Sequence, residues 1–172
     1  MRESISVGDH LEKLVKNLYL SSKLEEVNLS HCSFSPNTCR LLADYLTHHT
    51  SPLRSLNLAA CKIGYQGTRI IINALGNNLC LRMFNFAGND LSSGTSEFAI
   101  KIGALIARHP HLMHMDLSST GLEREEVLFI GMALNWSETM LSLHLTGNNL
   151  PYYDRIFLRT ILSARVMHGK TG

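Results

Sequence analysis

Apolar residues recur along the chain in a fixed, spaced figure. Leu24, Val27, Leu29, Cys32 and Phe34 stand at offsets 0, 3, 5, 8 and 10, and the same offsets return as Leu53, Leu56, Leu58, Cys61 and Ile63. Three more copies read Leu81, Phe84, Phe86, Asn89, Leu91, then Leu112, Met115, Leu117, Thr120, Leu122, then Met140, Leu143, Leu145, Asn148, Leu150. Their starts, 24, 53, 81, 112 and 140, are 29, 28, 31 and 28 residues apart, and a fixed period of this size marks a stacked repeat architecture. Alternation at offsets 3 and 5 predicts a short strand in each unit. Between strands the period changes to three and four, as in Leu41, Leu42, Ala43 and Leu46 within 37–48, and Ile71, Ile72 and Leu75 within 67–77. Phe98, Ile102, Leu105 and Ile106 continue it, as do Val127, Ile130, Met132 and Leu134, and lastly Ile156, Phe157, Ile161 and Leu162 within 152–165. Each unit is predicted to be strand, turn, helix. Leu11, Leu14, Val15 and Leu18 predict a further helix before the first strand, half a unit without its strand.

These segments match the leucine-rich repeat signature L-x-x-L-x-L-x-x-N/C-x-L. The long period, the Cys and Asn at offset 8, and Gly64 and Gly67 after the second strand make the chain similar to the ribonuclease-inhibitor-like subclass over about residues 9 to 165. That resemblance implies an α/β leucine-rich repeat solenoid, with a parallel β-sheet on the concave face and α-helices on the convex face. The expected organisation is one domain, 1–172: an N-terminal helical half-repeat over 1–23, five repeats over 24–165 and a tail over 166–172. It also implies that the offset-8 side chain turns inward beneath the loop, Asn bonding unpaired backbone groups and Cys or Thr filling the space. Cys32 and Cys61 would then stack in successive units, while Cys39 and Cys80 are read as packing or surface residues rather than nucleophiles.

Composition narrows the function classes. Of the 172 residues 45% are hydrophobic, enough to bury a core. Sixteen Lys and Arg against fourteen Asp and Glu leave a net charge of +2 with the signs interspersed, so neither nucleic acid nor an anionic membrane is an expected partner. No apolar run reaches the roughly 20 residues of a membrane-spanning helix, and Met1 to His10 is polar, so a cytoplasmic location is expected, with cytoskeleton or cilium included. Four Cys without CxxC spacing suit a reducing compartment and no zinc site. The chain carries no Gly-rich phosphate loop, no HExxH and no GxSxG, and neither catalysis nor a cofactor is expected.

In a curved array the strand residues at offsets 2, 4 and 6 face the concavity. The candidate partner-binding residues are therefore Glu26, Ser55, Met83 and His114 at offset 2, with Asn28, Asn57, Asn85, Asp116 and His144 at offset 4. Offset 6 is small throughout, Ser30, Ala59, Ala87, Ser118 and Thr146, which would let a helix or loop approach the sheet closely. Plain solvation of the Asn ladder is the competing reading. Asp116 and His144 share an offset and should face each other across adjacent strands, with His114 beside them and His109 and His111 just upstream. Metal binding and acid–base catalysis are both weighed for this cluster, but the spacing fixes no third ligand, no pocket and no nucleophile, and a partner contact is preferred. Glu123, Glu125 and Glu126 around Arg124 suit the N-terminal end of a helix. Trp136 is expected to pack beneath its loop.

Two strand edges, near 26–30 and 142–146, should remain open, so the chain is expected to be a segment of a longer array or a subunit covered in an assembly, unless the flanking helix and tail serve as caps. The expected function is a non-catalytic protein–protein interaction scaffold or assembly subunit, with one or more proteins, multi-subunit complexes included, as partners. Alternatives are a regulator of a partner enzyme, such as a small-GTPase activator, and a component of a cytoskeletal or ciliary complex.

Overall fold

Strand pairing repeats the sequence period residue for residue. A computed structural model describes residues 7–21, 23–48, 52–92 and 95–156, with side chains from His10 onward. The described residues form β1 (Glu26–Asn28), β2 (Ser55–Asn57), β3 (Met83–Asn85), β4 (His114–Asp116) and β5 (Ser142–His144), all parallel and paired in chain order. Val27 lies beside Leu56, Leu56 beside Phe84, Phe84 beside Met115 and Met115 beside Leu143. Parallel neighbours need a crossover, and each is a helix: α2 (Pro36–Thr47), α3 (Tyr65–Asn77), α4 (Glu97–Arg108) and α5 (Arg124–Ala133), the last extended by a 3-10 turn at Leu134–Trp136. The sheet and the helices form the two layers of a leucine-rich repeat solenoid.

The apolar positions of the repeat fill the space between the layers. In the second, third and fourth units every signature side chain is buried. In the fifth unit Met140 and Asn148 are buried, but Leu143, Leu145 and Leu150 are only partly covered. Local signals set the helix starts. Ser35 caps α2 by accepting from the Thr38 N–H at 3.0 Å, with Pro36 at the first helical position, where its missing N–H costs nothing. At α5 the Glu126 carboxylate reaches back to the Glu123 N–H at 2.9 Å, so the acidic run there is a cap, as expected. Ahead of the first strand, α1 (Val7–Asn17) runs into a 3-10 turn (Leu18–Leu20), buries Leu11, Val15 and Leu18, and is tied to the α2 cap by Ser35 Oγ donating to Glu12 at 3.2 Å.

One left-handed residue sits at offset 7 of each unit: His31, Ala60, Gly88, Ser119 and Gly147, all with φ between 53° and 76°. This residue turns the chain sharply off the sheet toward the helix layer. Only two of the five are glycine, so the others carry strain that the stacked turns hold in place.

Some expectations need correction. Leu14 and Met132, assigned to buried helix faces, are exposed, because each helix shows the interior a narrower stripe than its full apolar set. Ile156 is exposed too, and Phe157, Ile161, Leu162 and the 166–172 tail lie outside the described residues. β1 and β5 are the two end strands of the sheet, and backbone bonds to their inner neighbours continue beyond the strands to His31 and Thr146. Among the described residues no helix is long and apolar enough to cross a membrane.

Candidate functional site

The concave face is built by strand alternation: the middle residue of each strand points into the core and its two neighbours point out. Of the predicted contact residues, Glu26, Asn28, Met83 and His144 are exposed, and Ser55, Asn57, Asn85, His114 and Asp116 half-buried. The sheet brings all nine together in two rows, Glu26, Ser55, Met83 and His114 beside Asn28, Asn57, Asn85, Asp116 and His144.

The second row is held rather than merely solvated. Asn28 Oδ1 accepts from the Ser30 N–H at 3.0 Å, Asn57 Oδ1 from Ala59 at 2.9 Å, Asn85 Oδ1 from Ala87 at 3.0 Å and Asp116 Oδ1 from Ser118 at 2.9 Å. Each side chain thereby closes an Asx turn where its strand ends. Among the described residues the Nδ2 groups of these three asparagines donate to no protein atom. A fixed oxygen fixes the amide plane, so the nitrogen has a set direction.

The polar cluster at β4 and β5 differs from the expectation. Asp116 and His144 are register partners, but no hydrogen bond joins them; Asp116 caps its turn, and the His114 ring bonds Ser142 Oγ at 2.8 Å. His109 is not on this face at all. Among the described residues no three His, Cys, Asp or Glu side chains converge on a metal-sized site.

Beneath the sheet a different set of asparagines joins the units. Asn89 Oδ1 accepts from the Cys61 and Ile63 N–H groups at 3.0 and 3.2 Å, and its Nδ2 donates to the Leu58 and Phe86 carbonyls at 2.7 and 3.0 Å. Asn148 repeats this one pair of units later, accepting from Thr120 and Leu122 and donating to Leu117 and Leu145. In the intervening unit the Thr120 hydroxyl donates to Leu117 O. The Cys61 thiol donates to Leu29 O at 2.9 Å, and burial pushes its pKa up to about 11, so it stays a protonated donor. Cys39 is likewise raised by burial, to about 11, and all four cysteines are free.

A third polar row was not anticipated. Three residues before the first apolar position stand Asn78, His109 and Ser137, all buried. Asn78 Oδ1 accepts from the Cys80 and Leu81 N–H groups, His109 Nδ1 from His111 and Leu112, and Ser137 Oγ from Met140. The only signal in the sequence was a polar residue at a constant distance from the next leucine. His109 must be neutral to accept at Nδ1. Burial holds its pKa below the ordinary 6.5, the His111 charge adds to this, and a hydrogen bond to the Asn78 backbone partly opposes it. With the folded value depressed, the unfolded chain takes up the proton first, and stability is lost as pH falls below the ordinary histidine range. Urea unfolding at pH 7.5 and pH 5 should therefore show a larger acid loss for wild type than for His109→Asn, which supplies the same bonds without titrating. Equal losses would remove His109 from the pH response.

On the convex side Trp136 is 66% exposed, against the expectation of a packed ring. It flanks a groove of ≈ 490 Å³ between α4 and α5, floored by Gly103, Ala104 and Ala107 and walled by Ile100, Phe129 and Met132. A Cβ on Gly103 would stand 2.7 Å from the Phe129 ring, so glycine permits the close approach of these helices. Tyr152 and Tyr153 are also exposed.

No protein-family model matches the sequence. The chain is 27% identical over 144 residues to human NACHT, LRR and PYD domains-containing protein 12, covering 81% of this chain and 13% of that protein. It is 24% identical over 140 residues to mouse NACHT, LRR and PYD domains-containing protein 4E, covering 80% of this chain and 14% of that protein. The match thus spans about an eighth of the relatives' length. Among solved structures, leiomodin-1 actin-binding site 2 superposes with a TM-score of 0.73 at 16% identity, covering 97% of this chain and 93% of that one. The Caenorhabditis elegans tropomodulin C-terminal domain gives 0.73 at 17%, covering 93% and 95%. The shared element is the repeat fold.

Proposed function

We propose that the chain is a non-catalytic protein-interaction module that holds a partner against its concave sheet, and that it works in the cytoplasm. The observation that carries this reading is the locked row of Asn28, Asn57 and Asn85, whose oxygens are spent on the turns while their nitrogens remain available. A surface whose polar groups are already oriented loses little conformational freedom on binding. We further assign the chain to the ribonuclease-inhibitor-like subclass as one domain over 1–172, five repeats over 24–165 between a helical half-repeat at 1–23 and a tail at 166–172; the full helix in each crossover supports this.

One structural neighbour carries an actin-binding site in its name, so filamentous actin is the first partner to test. Co-sedimentation with actin filaments should be lost in the Ser55→Glu, Met83→Glu double variant, which changes two outward positions and leaves the Asx turns intact. A second reading places the contact on the convex groove, favoured by the exposure of Trp136 and Phe129, since buried aromatic anchors dominate tight interfaces. There the Trp136→Ser, Phe129→Ser variant would be the one that fails. Retention by both variants would remove both surfaces, and absence of sedimentation by wild type would remove actin as the partner. The regulator alternative predicts faster hydrolysis in a small-GTPase turnover assay; an unchanged rate eliminates it.

A further inference from the structure

The orientation of the Asx row points to the chemistry of the partner, and this step rests on the concave face being the contact surface. In Asn28, Asn57 and Asn85 the acceptor end of each amide is bonded to the backbone N–H two residues on, which leaves the donor end outward. The three residues are register neighbours on successive strands, about 4.8 Å apart. A row of identical donors at that pitch pairs with a row of acceptors. Arg54 and Arg82 are exposed where β2 and β3 begin, so an anionic acceptor is favoured over the second and third units, where the outward strand residues Ser55, Asn57, Met83 and Asn85 carry no acid, and is opposed at the first unit by the exposed Glu25 and Glu26. Arg54 is engaged by Glu25 at 3.2 Å, an exposed pair that a competing carboxylate can exchange at little cost. Met83, exposed beside Asn85, offers an apolar surface for methylene stems. At the fourth strand the chemistry reverses: Asp116 occupies the same position, with one oxygen on Ser118 N–H and the other an acceptor. The donor row therefore ends at β3.

We propose that the concave face over the second and third units takes an acidic peptide segment, whose Glu or Asp carboxylates accept from Asn57 and Asn85. The sequence itself supplies the diagnostic variant. Asp116 closes the same Asx turn that asparagine closes elsewhere, so Asn57→Asp with Asn85→Asp keeps both turns while replacing outward donors with outward anionic acceptors.

The test is a titration of the full chain, isotope-labelled for NMR, with two synthetic peptides of equal length, one alternating Glu and Ser, the other Lys and Ser. The Glu-Ser peptide is expected to shift the side-chain amide signals of Asn57 and Asn85, and the double variant to bind it at least tenfold more weakly. Unchanged Ala59 and Ala87 backbone signals in the variant establish that its turns have formed. If the Lys-Ser peptide shifts these signals instead, the concave face binds but the donor argument is overturned. If neither peptide moves them, or the Glu-Ser peptide binds both proteins equally, the proposal fails; shifts confined to Trp136 and Phe129 would also move the contact surface to the convex groove.

Discussion

Asn89→Ala is expected to lower the unfolding free energy by about 3–5 kcal/mol, because it orphans two buried backbone donors and removes two donated bonds at once. For a domain of ordinary marginal stability that is a large part of the total. Asn148→Ala should cost a similar amount, since it accepts from two backbone groups and donates to two carbonyls. Asn57→Ala, by contrast, removes one half-exposed Asx bond and should cost about 1 kcal/mol. Urea denaturation of the three variants settles the ranking. A loss at Asn89 no larger than at Asn57 would mean that the buried amide does not join the units.

The second large effect lies in the apolar stack. Leu58→Ala and Leu117→Ala should each cost about 3–4 kcal/mol, because both side chains are fully buried between neighbours above and below. Leu145→Ala, at the same offset in the fifth unit, should cost less than half of that, its side chain being only partly covered. Equal losses along the series would show that stability is not shared between adjacent units as a stacked array requires.

The fold was legible because the repeat writes the register directly. The spacings of 29, 28, 31 and 28 residues between leucine starts are the same spacings that separate Glu26, Ser55, Met83, His114 and Ser142 in the sheet. The inward role of Asn89 and Asn148 was implied by the resemblance to leucine-rich repeats and is borne out by their bonds. The row of Asn78, His109 and Ser137 was not legible, because three different side chains perform one task and share only an acceptor atom. His109 was misplaced for the same reason: as a sequence neighbour of His114 it looked like part of a polar cluster, whereas the turn directs it under the loop. Trp136 was misread because its burial depends on how closely α4 and α5 approach, which no periodicity records.

One residue type thus serves two purposes, set by its place in the unit: asparagine at offset 8 joins neighbouring units, and asparagine at offset 4 displays a donor. Water-exchange NMR on the side-chain amides examines this most directly. Asn89 and Asn148 should exchange slowly, and Asn28, Asn57 and Asn85 rapidly, as freely hydrated groups do. Protected amides at Asn57 and Asn85, or rapid exchange at Asn89 and Asn148, would contradict the division of roles on which both the fold and the proposed contact rest.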